Sequence, residues 1–497
     1  MIYSIPLYHQ LIGYVMNVSK YFKRKPINEL VGEAEESKDL VRSLAAFQLI
    51  LFGIGAIVGA GIFVLAGEAA SHYAGPAITV SFAISGLACV CAALCYAELS
   101  SMIPVSGSAY TYIYATLGEL AACIMAGFMT LGSFLSIASV ASGWSGYIQS
   151  LLADFGIYIP AQFSATTGCV VGLDGSSQVE AIFNLPAFFI VMLITYVLYK
   201  GIQTSAFVNA VIVFLKMSVL FGFIMVGAMY IDTTNWEPFI PKNTGEFGQY
   251  GISGIIAGSA MVFFAYNGFD AVATAAQETK NPQRDLPIGI LGSLIIATLT
   301  YVLVAGVLTG LVKYTELGVA QPIAIAVDKM GLPWFSLLVK VGATAGLTSV
   351  VLVMLYSLIR VLFVISKDGL LPAFLSKLHP EYKTPHILTL VCGFLIAIAG
   401  STVSLDTLVP LANFGIIGTF ATVCFAALFL RYSQPNLKRN FKCPFMPVIP
   451  IAGMLILLQI MSSLPNITYF YALIWVGVIV LFYIFYGQFN SKLHAQK

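Results

Sequence analysis

The chain has 497 residues, of which 59% are hydrophobic and only 9% are charged. It is therefore not an ordinary soluble protein, in which about a quarter of the residues are charged. The formal net charge is +2, and no basic stripe with interleaved aromatic residues is present, which excludes a nucleic-acid partner.

Apolar runs of about 20 residues, enough to cross ~30 Å of hydrocarbon, recur after residue 43. They predict an all-α polytopic membrane protein with the lipid bilayer as its solvent. The twelve predicted transmembrane helices cover residues 44–69, 74–102, 110–153, 181–199, 203–230, 252–277, 287–312, 334–365, 385–404, 407–431, 446–463 and 467–488. The third is long enough to tilt, to kink or to carry a helical extension outside the membrane.

The N-terminal segment, residues 1–43, precedes the first predicted helix. Its apolar stretch, Ile2 to Val18, is followed rather than preceded by the basic residues Lys20, Lys23, Arg24 and Lys25, which is not the order in a cleavable signal peptide. The pattern favours an interfacial helix beside an anionic cytoplasmic leaflet, although a solvated tail fits it equally well.

The distribution of basic residues predicts the orientation. With both termini cytoplasmic, 19 of the 24 Lys and Arg residues fall in inner segments, four fall outside, and Lys216 lies within a helix. The outer loop 154–180 carries Asp154, Asp174 and Glu180 and no basic residue. We therefore expect a multi-pass protein of the cell (plasma) membrane with cytoplasmic termini.

Lys216 lies in the middle of the fifth predicted helix, with seven to nine apolar positions on either side. Charged residues inside hydrocarbon cost several kcal/mol, which makes each one a candidate functional residue. A buried amine that loses and regains its proton as water access alternates would serve as a proton carrier. The alternative is a permanently charged lysine that is fixed by carbonyls at a helix end.

Two predicted helices contain glycines and polar residues that favour a break. The first has four glycines within nine residues, including Gly59 and Gly61, and the sixth has Asn267, Gly268 and Asp270. A broken helix exposes N–H and C=O groups at mid-membrane and suits a site for a zwitterion. Close packing through small residues explains the glycines of the first helix equally well.

The other polar residues suggest no catalysis. Glu68, Glu98 and Glu119 lie nearer helix ends, where capping or loop contacts explain them better than a role in transport. The five histidines lie in tails or loops, and the eight cysteines have no zinc or redox spacing. We therefore predict no metal, no cofactor and no enzymatic activity.

Several motifs resemble the cationic amino acid transporter family of the amino acid, polyamine and organocation superfamily. They are GAGIF at 59–63, FAYNGFD at 264–270, ETKNPQRDLP at 278–287, GWSGY at 143–147 and KDGLLP at 367–372. The resemblance implies a LeuT-like fold: two five-helix inverted repeats, at 44–231 and 232–432, followed by two further helices and a C-terminal tail at 433–497.

The resemblance also implies a site for a single amino acid between helices 1, 3, 6, 8 and 10. Gly59 lies at the break, and the N–H groups of Ala60 and Gly61 would bind the substrate carboxylate. The substrate ammonium would bind three main-chain carbonyls, one in the first helix and two in the sixth: those of Ile57, Phe264 and Asn267.

Three further residues receive roles from the same resemblance. Phe264 would close over the substrate as an aromatic gate, and Asp270 would contribute to proton coupling or to switching between states. Lys216 matches a lysine of proton-dependent relatives, where it takes the place of a sodium ion.

The sequence departs from the family pattern near the expected site. Gly132 stands where relatives commonly have an acidic residue, Asn267 replaces an apolar one, and helix 8 has Tyr356-Ser-Leu-Ile-Arg360 in place of a Gly-Gln-Thr/Pro-Arg run. These differences favour a small neutral amino acid over arginine without excluding a cationic one.

We therefore predict an amino acid permease that works by alternating access, with a proton as the coupling ion. An amino acid exchanger is the first alternative, since both would use one site. An amino acid sensor or a polytopic membrane enzyme are more remote alternatives, and measured uptake would separate them from a transporter.

Overall fold

A computed structural model describes residues 23–36, 44–173, 177–201, 206–319 and 321–495. The predicted interfacial helix at 2–18 and Lys20 lie outside these residues. Within them, eight helices are long and apolar enough to cross a membrane, and four shorter helices of 10–17 residues are also apolar. The described chain is thus a polytopic, mostly helical protein.

The helices of the first half surround one interrupted segment. Their bounds are α1 Ile27–Glu36, α2 Ala46–Ile57, α3 Ala60–Phe63, α4 Leu65–Ala69, α5 Ile78–Met102, α6 Ser108–Thr116, α7 Glu119–Asp154, α8 Leu185–Tyr199 and α9 Ala206–Gly227. The first predicted helix therefore appears as three pieces, α2, α3 and α4.

The second half contains another interrupted segment. Its helices are α10 Gly251–Val262, α11 Ala271–Thr274, α12 Pro282–Leu311, α13 Pro322–Lys329, α14 Pro333–Lys367, α15 His386–Thr402, α16 Leu405–Ser433, α17 Val448–Ser462, α18 Asn466–Phe482, α19 Gln488–Asn490 and α20 Lys492–Ala495. A 3₁₀ turn, Phe263–Tyr266, continues α10 towards α11.

Two boundaries differ from the prediction. The expected helix 110–153 is two helices, α6 and α7, because Gly118 between them has φ of +98°, a conformation that glycine adopts without strain. The outer loop contains a hairpin of β1, Val170–Leu173, and β2, Ser177–Glu180, in which Val170 pairs with Glu180. The next helix, α8, consequently begins at Leu185 rather than 181.

Long helices enclose the two interrupted segments. Helix α12 packs against both α2 and α5, while α7 packs against α14 and α16. Helix α7 also packs against α15, and a small residue permits the close approach there: a Cβ on Gly400 of α15 would lie 2.9 Å from the Ala138 carbonyl oxygen of α7. The interrupted segments are therefore held inside a rigid frame of continuous helices.

Glu98 shows how the loops are tied to this frame. Its buried carboxylate accepts hydrogen bonds from Arg431 at 2.5 Å and Arg439 at 3.1 Å, and from the Cys443 N–H at 2.8 Å. These donors belong to the end of α16 and to the loop that follows it. The expectation of a loop contact for Glu98 is confirmed.

Candidate functional site

The first interruption separates α2 from α3. Val58 is extended, Gly59 is non-helical with φ −154° and ψ −140°, and α3 restarts at Ala60. Gly61 lies so close to the second interruption that a Cβ there would be 2.2 Å from the Ala265 Cα. The glycines of this segment thus serve both of the purposes considered from the sequence, since the helix breaks and its backbone packs closely.

The second interruption follows the 3₁₀ turn that ends α10. Asn267 is extended, with φ −63° and ψ 132°, and Gly268 has φ of +118°. A Cβ on Gly268 would lie 2.9 Å from the carbonyl of Ala56 in α2. The two interruptions therefore face each other across a close backbone contact.

Lys216 of α9 holds the open end of α2. Its Nζ donates to the carbonyl oxygens of Gly55 at 2.8 Å and Val58 at 2.9 Å, which the break leaves without main-chain donors. The side chain is 0% exposed. Among the residues that the structure describes, no carboxylate pairs with it.

A tyrosine of α12 connects both breaks. The Tyr301 hydroxyl lies 2.8 Å from the Ile57 carbonyl oxygen and 2.9 Å from that of Ala265. A phenol carries one proton, so this is one donor shared between two acceptors. Tyr301 therefore positions the end of α2 relative to the 3₁₀ turn.

An asparagine of α16 likewise donates a hydrogen bond to a main-chain carbonyl of α10. The Asn413 Nδ2 donates to the Ala260 carbonyl at 2.7 Å, near the end of that helix. The side chain is buried, and its Oδ1 has no hydrogen-bond partner in the described part of the chain. Each of the two long broken pieces thus contacts a polar side chain of a neighbouring helix close to its break.

The N–H groups expected to bind a carboxylate are free. Ala60 and Gly61 occupy the first turn of α3, where no helical carbonyl precedes them, and no acceptor among the described residues bonds to them. The first turn of a helix also carries partial positive charge. An anionic group can therefore be bound here by the main chain.

The three carbonyls expected to bind an ammonium differ in what they already bond. The Ile57 carbonyl accepts from Tyr301, and that of Phe264 accepts the Asn267 N–H at 3.1 Å. No donor is described for the Asn267 carbonyl, and each carbonyl retains a second lone pair. The buried Phe264 ring lies in the 3₁₀ turn beside them.

Gly132 lies in a helix contact. A Cβ there would be 3.1 Å from the Ile416 side chain and 3.2 Å from its N–H nitrogen, which places Gly132 at the crossing of α7 with α16. One turn later, Ser136 accepts a hydrogen bond from Asn267 Nδ2 at 2.8 Å. Ser136 therefore joins α7 to the second break.

Asp270 lies just before α11 and is partly buried. Its main-chain oxygen lies 3.5 Å from the Ser108 hydroxyl of α6, and its carboxylate is near the buried Tyr96 and Tyr112. The structure thus brings Asp270 into the second break, on the side that faces α5 and α6.

The helix 8 motif links the end of the second broken segment to α14. Arg360 forms an ion pair with Glu278 and stacks on the Tyr356 ring at 4.4 Å, and the Tyr356 hydroxyl donates to Glu278 at 3.2 Å. One turn earlier, the Thr274 and Ser357 hydroxyls are 3.1 Å apart. These contacts join the second half of the broken helix to a continuous one.

Sequence reasoning missed Ser136, Tyr301 and Asn413. Each is a lone hydroxyl or amide in an apolar run, without the charge or the clustered glycines that mark a site in the sequence. The sequence does carry one signal for such residues, because a side-chain amide or phenol buried in an apolar helix requires a hydrogen-bond partner. An interrupted helix offers such partners because its end carbonyls are open.

Comparison with known proteins supplies the family. A family model described as amino acid permease matches residues 44–492. The branched-chain amino acid permease BcaP of Bacillus subtilis is 44% identical over 474 residues, covering 95% of this chain and 99% of that protein. The methylthioribose transporter of the same organism is 42% identical over 477 residues, covering 96% and 100%.

A plant relative is similar over a shorter stretch. The chloroplastic cationic amino acid transporter 9 of Arabidopsis thaliana is 39% identical over 361 residues, which covers 71% of this chain and 60% of that protein. The similarity to both bacterial proteins includes the two interrupted segments and the helices that hold them.

Proposed function

Because the chain belongs to the amino acid permease family, we propose that it carries a small neutral amino acid across the cell membrane together with a proton. The observation that carries this proposal is the contact of Lys216 with the open end of α2. The family inferred from the sequence motifs is confirmed, and the substrate, the coupling ion and the site residues are proposals.

The substrate would be held by main-chain atoms at the two breaks. Its carboxylate would bind the free N–H groups of Ala60 and Gly61, beside Gly59. Its ammonium would bind the carbonyls of Ile57, Phe264 and Asn267, and the Phe264 ring would close over it. Dipoles at broken helices bind a zwitterion without a fixed charge, so release remains possible.

The side chains near the breaks support a neutral substrate. Ser136 and Asn267 are uncharged and bond to each other, and Gly132 supplies no carboxylate to pair with a cationic side chain. Asp270 is the acidic residue of this region, and it faces α5 and α6. The named substrates of the two bacterial relatives differ from one another, so similarity alone leaves the substrate open.

Proton coupling is supported by the isolation of Lys216. An ammonium that is buried without an anionic partner is costly, because two carbonyl hydrogen bonds replace only part of its hydration. Loss of the proton would weaken its hold on Gly55 and Val58 and thereby free the end of α2. The same contacts fit a fixed strut, and the experiment below separates the two roles.

The arrangement of polar contacts also supports the inverted repeat. Lys216 lies in the fifth predicted helix and contacts the first, while Asn413 lies in the tenth and contacts the sixth. Equivalent contacts at equivalent positions are what two five-helix repeats, 44–231 and 232–432, would produce. The cytoplasmic location of both termini rests on the excess of basic residues at that end.

Reconstituted protein tests the proposal. Purified wild-type chain in liposomes is supplied with radiolabelled alanine, serine, leucine, lysine or arginine, with and without an inward proton gradient. We expect a neutral amino acid to accumulate only with the gradient. Lys216→Met should retain exchange of preloaded substrate and lose gradient-driven accumulation, because it keeps an unbranched side chain of nearly the same length and removes the ionisable group.

Lys340 provides the matched control. It is also a buried helix lysine, at 4% exposure, but it lies near the start of α14 and pairs with Asp154 at 2.8 Å. Lys340→Met should leave the gradient dependence unchanged. Accumulation of arginine alone would overturn the neutral substrate, and counterflow without net accumulation in the wild type would identify an exchanger.

A further inference from the structure

A polar cleft lies at the end of the molecule that carries most of the basic residues. It has a volume of 860 Å³ and is formed where the end of α5, the segment before α12 and the loop after α16 meet. Its lining includes Lys280, Asn281 and Arg284, together with Ile288 and Leu291 of α12. None of these residues takes part in the proposed substrate site.

Within the described part of the chain, the two cationic side chains of the cleft are unpaired. Lys280 and Arg284 are exposed, and no ion pair or side-chain hydrogen bond joins either of them to another described residue. Several other basic groups at this end are held in ion pairs: Lys25 pairs with Asp368, and Arg431 and Arg439 pair with Glu98. The cleft therefore presents free positive charge beside neutral polar groups.

An apolar stripe leads away from these charges along α12. Ile288, Leu291, Ile295 and Leu299 follow Arg284 at spacings of three or four residues, which places all of them on one face of the helix. Ile288, Ile295 and Leu299 are 39%, 50% and 61% exposed. A membrane protein presents such a face to lipid chains.

The length of α12 leaves room for Arg284 at headgroup depth. Its 30 residues span about 45 Å, which exceeds the ~30 Å hydrocarbon layer, and the charged first turn, with Arg284 and Asp285, is the end that hydrocarbon would exclude. A cationic group at this level, with an apolar stripe below it, matches the two parts of a phospholipid.

We propose that the cleft binds the phosphodiester headgroup of an anionic phospholipid, with Lys280 and Arg284 as its ligands and an acyl chain along the Ile288–Leu299 stripe. Arginine and lysine are the side chains that bind phosphate oxygens. The bound lipid would join the start of α12, which positions both breaks through Tyr301, to the loop after α16.

Native mass spectrometry of the detergent-purified full chain tests this site. The protein is titrated with phosphatidylglycerol and, separately, with phosphatidylcholine of the same acyl chains. We expect the wild type to retain phosphatidylglycerol preferentially. Lys280→Gln with Arg284→Gln should reduce that retention at least about tenfold, and Lys280→Arg with Arg284→Lys should preserve it.

Lys438 and Lys442 form the matched control pair, because both are exposed on the loop after α16 and neither lines the cleft. Changing both to Gln removes the same charge and should leave retention unchanged. Equal losses in the two double variants would overturn the proposal in favour of general surface attraction. Undiminished retention in the cleft variant would also overturn it.

A soluble phosphate provides the last comparison. Glycerol 1-phosphate shares the headgroup chemistry but has no acyl chain, so it should not displace the bound lipid at millimolar concentration. Displacement that depends on Lys280 and Arg284 would reassign the cleft to a free phosphate. Each variant is first compared with the wild type by thermal unfolding, so that a misfolded protein is not scored as a loss of binding.

Discussion

Tyr301→Phe is the most direct test of how the two breaks are held together. The change removes one hydroxyl and keeps the ring, which packs against Phe82 and Tyr266. The hydroxyl is shared between the carbonyls of Ile57 and Ala265, at 2.8 and 2.9 Å. Because only one proton is donated, the loss amounts to about one buried hydrogen bond, or roughly 1–2 kcal/mol.

Part of this loss should appear in substrate binding. The Ile57 carbonyl is a proposed ligand of the substrate ammonium, and Tyr301 fixes its position. If the whole loss of ~1–2 kcal/mol falls on the bound state, the apparent KM for uptake rises about five- to thirtyfold. The assay is initial-rate uptake in proteoliposomes over a range of substrate concentrations, with thermal unfolding measured on the same preparation.

Tyr483→Phe is the matched control. The Tyr483 hydroxyl is also buried and bonds Glu119 at 2.9 Å, far along the chain from either break. Its removal should lower the unfolding temperature without raising the apparent KM. An unchanged KM in Tyr301→Phe, with a loss of stability like that of the control, would refute the idea that this hydroxyl positions the site.

Three further changes probe the site and its frame. Ser136→Ala removes the acceptor of the Asn267 amide and should shift the uptake ratio of serine to leucine by several fold, measured by competition, with less than ~2 kcal/mol lost from stability. Glu98→Gln should destabilise the protein by about 3 kcal/mol, seen in thermal unfolding, with KM unchanged, because two guanidinium groups lose their anion. Gly61→Ala should abolish uptake since its Cβ would overlap the second break, whereas Gly477→Ala, with nothing within 4 Å, should be silent.

The sequence predicted the features of this fold that depend on local composition. Apolar length gave the helices, and the glycines around Gly59 and Gly268 gave the positions of both breaks. The division at Gly118 was not predicted, because an apolar run continues on both sides of that turn. The hairpin at 170–180 was missed for another reason, since its strands are only four residues long.

The contacts that hold the breaks could not be predicted in the same way. Tyr301 is 244 residues from Ile57, and Lys216 is 161 residues from Gly55. No periodic pattern connects positions that far apart, and only the packing of α9 and α12 against α2 brings them together. Gly132 shows the limit of motif comparison. It differs from the family pattern but lies at the crossing of α7 with α16, whereas Ser136, one turn later, contacts the second break.

The polar groups at the two open helix ends differ in one chemical respect. Lys216 is an ionisable group, whereas the Asn413 amide does not titrate. Under the proposed coupling, a change in proton supply would alter the hold on α2 and leave the hold on α10 as it was. In a transporter that alternates between two states, coupling requires that a proton favour one of them. The proposed repeat would supply two similar breaks, and this difference in side chain would make only the first responsive to protons.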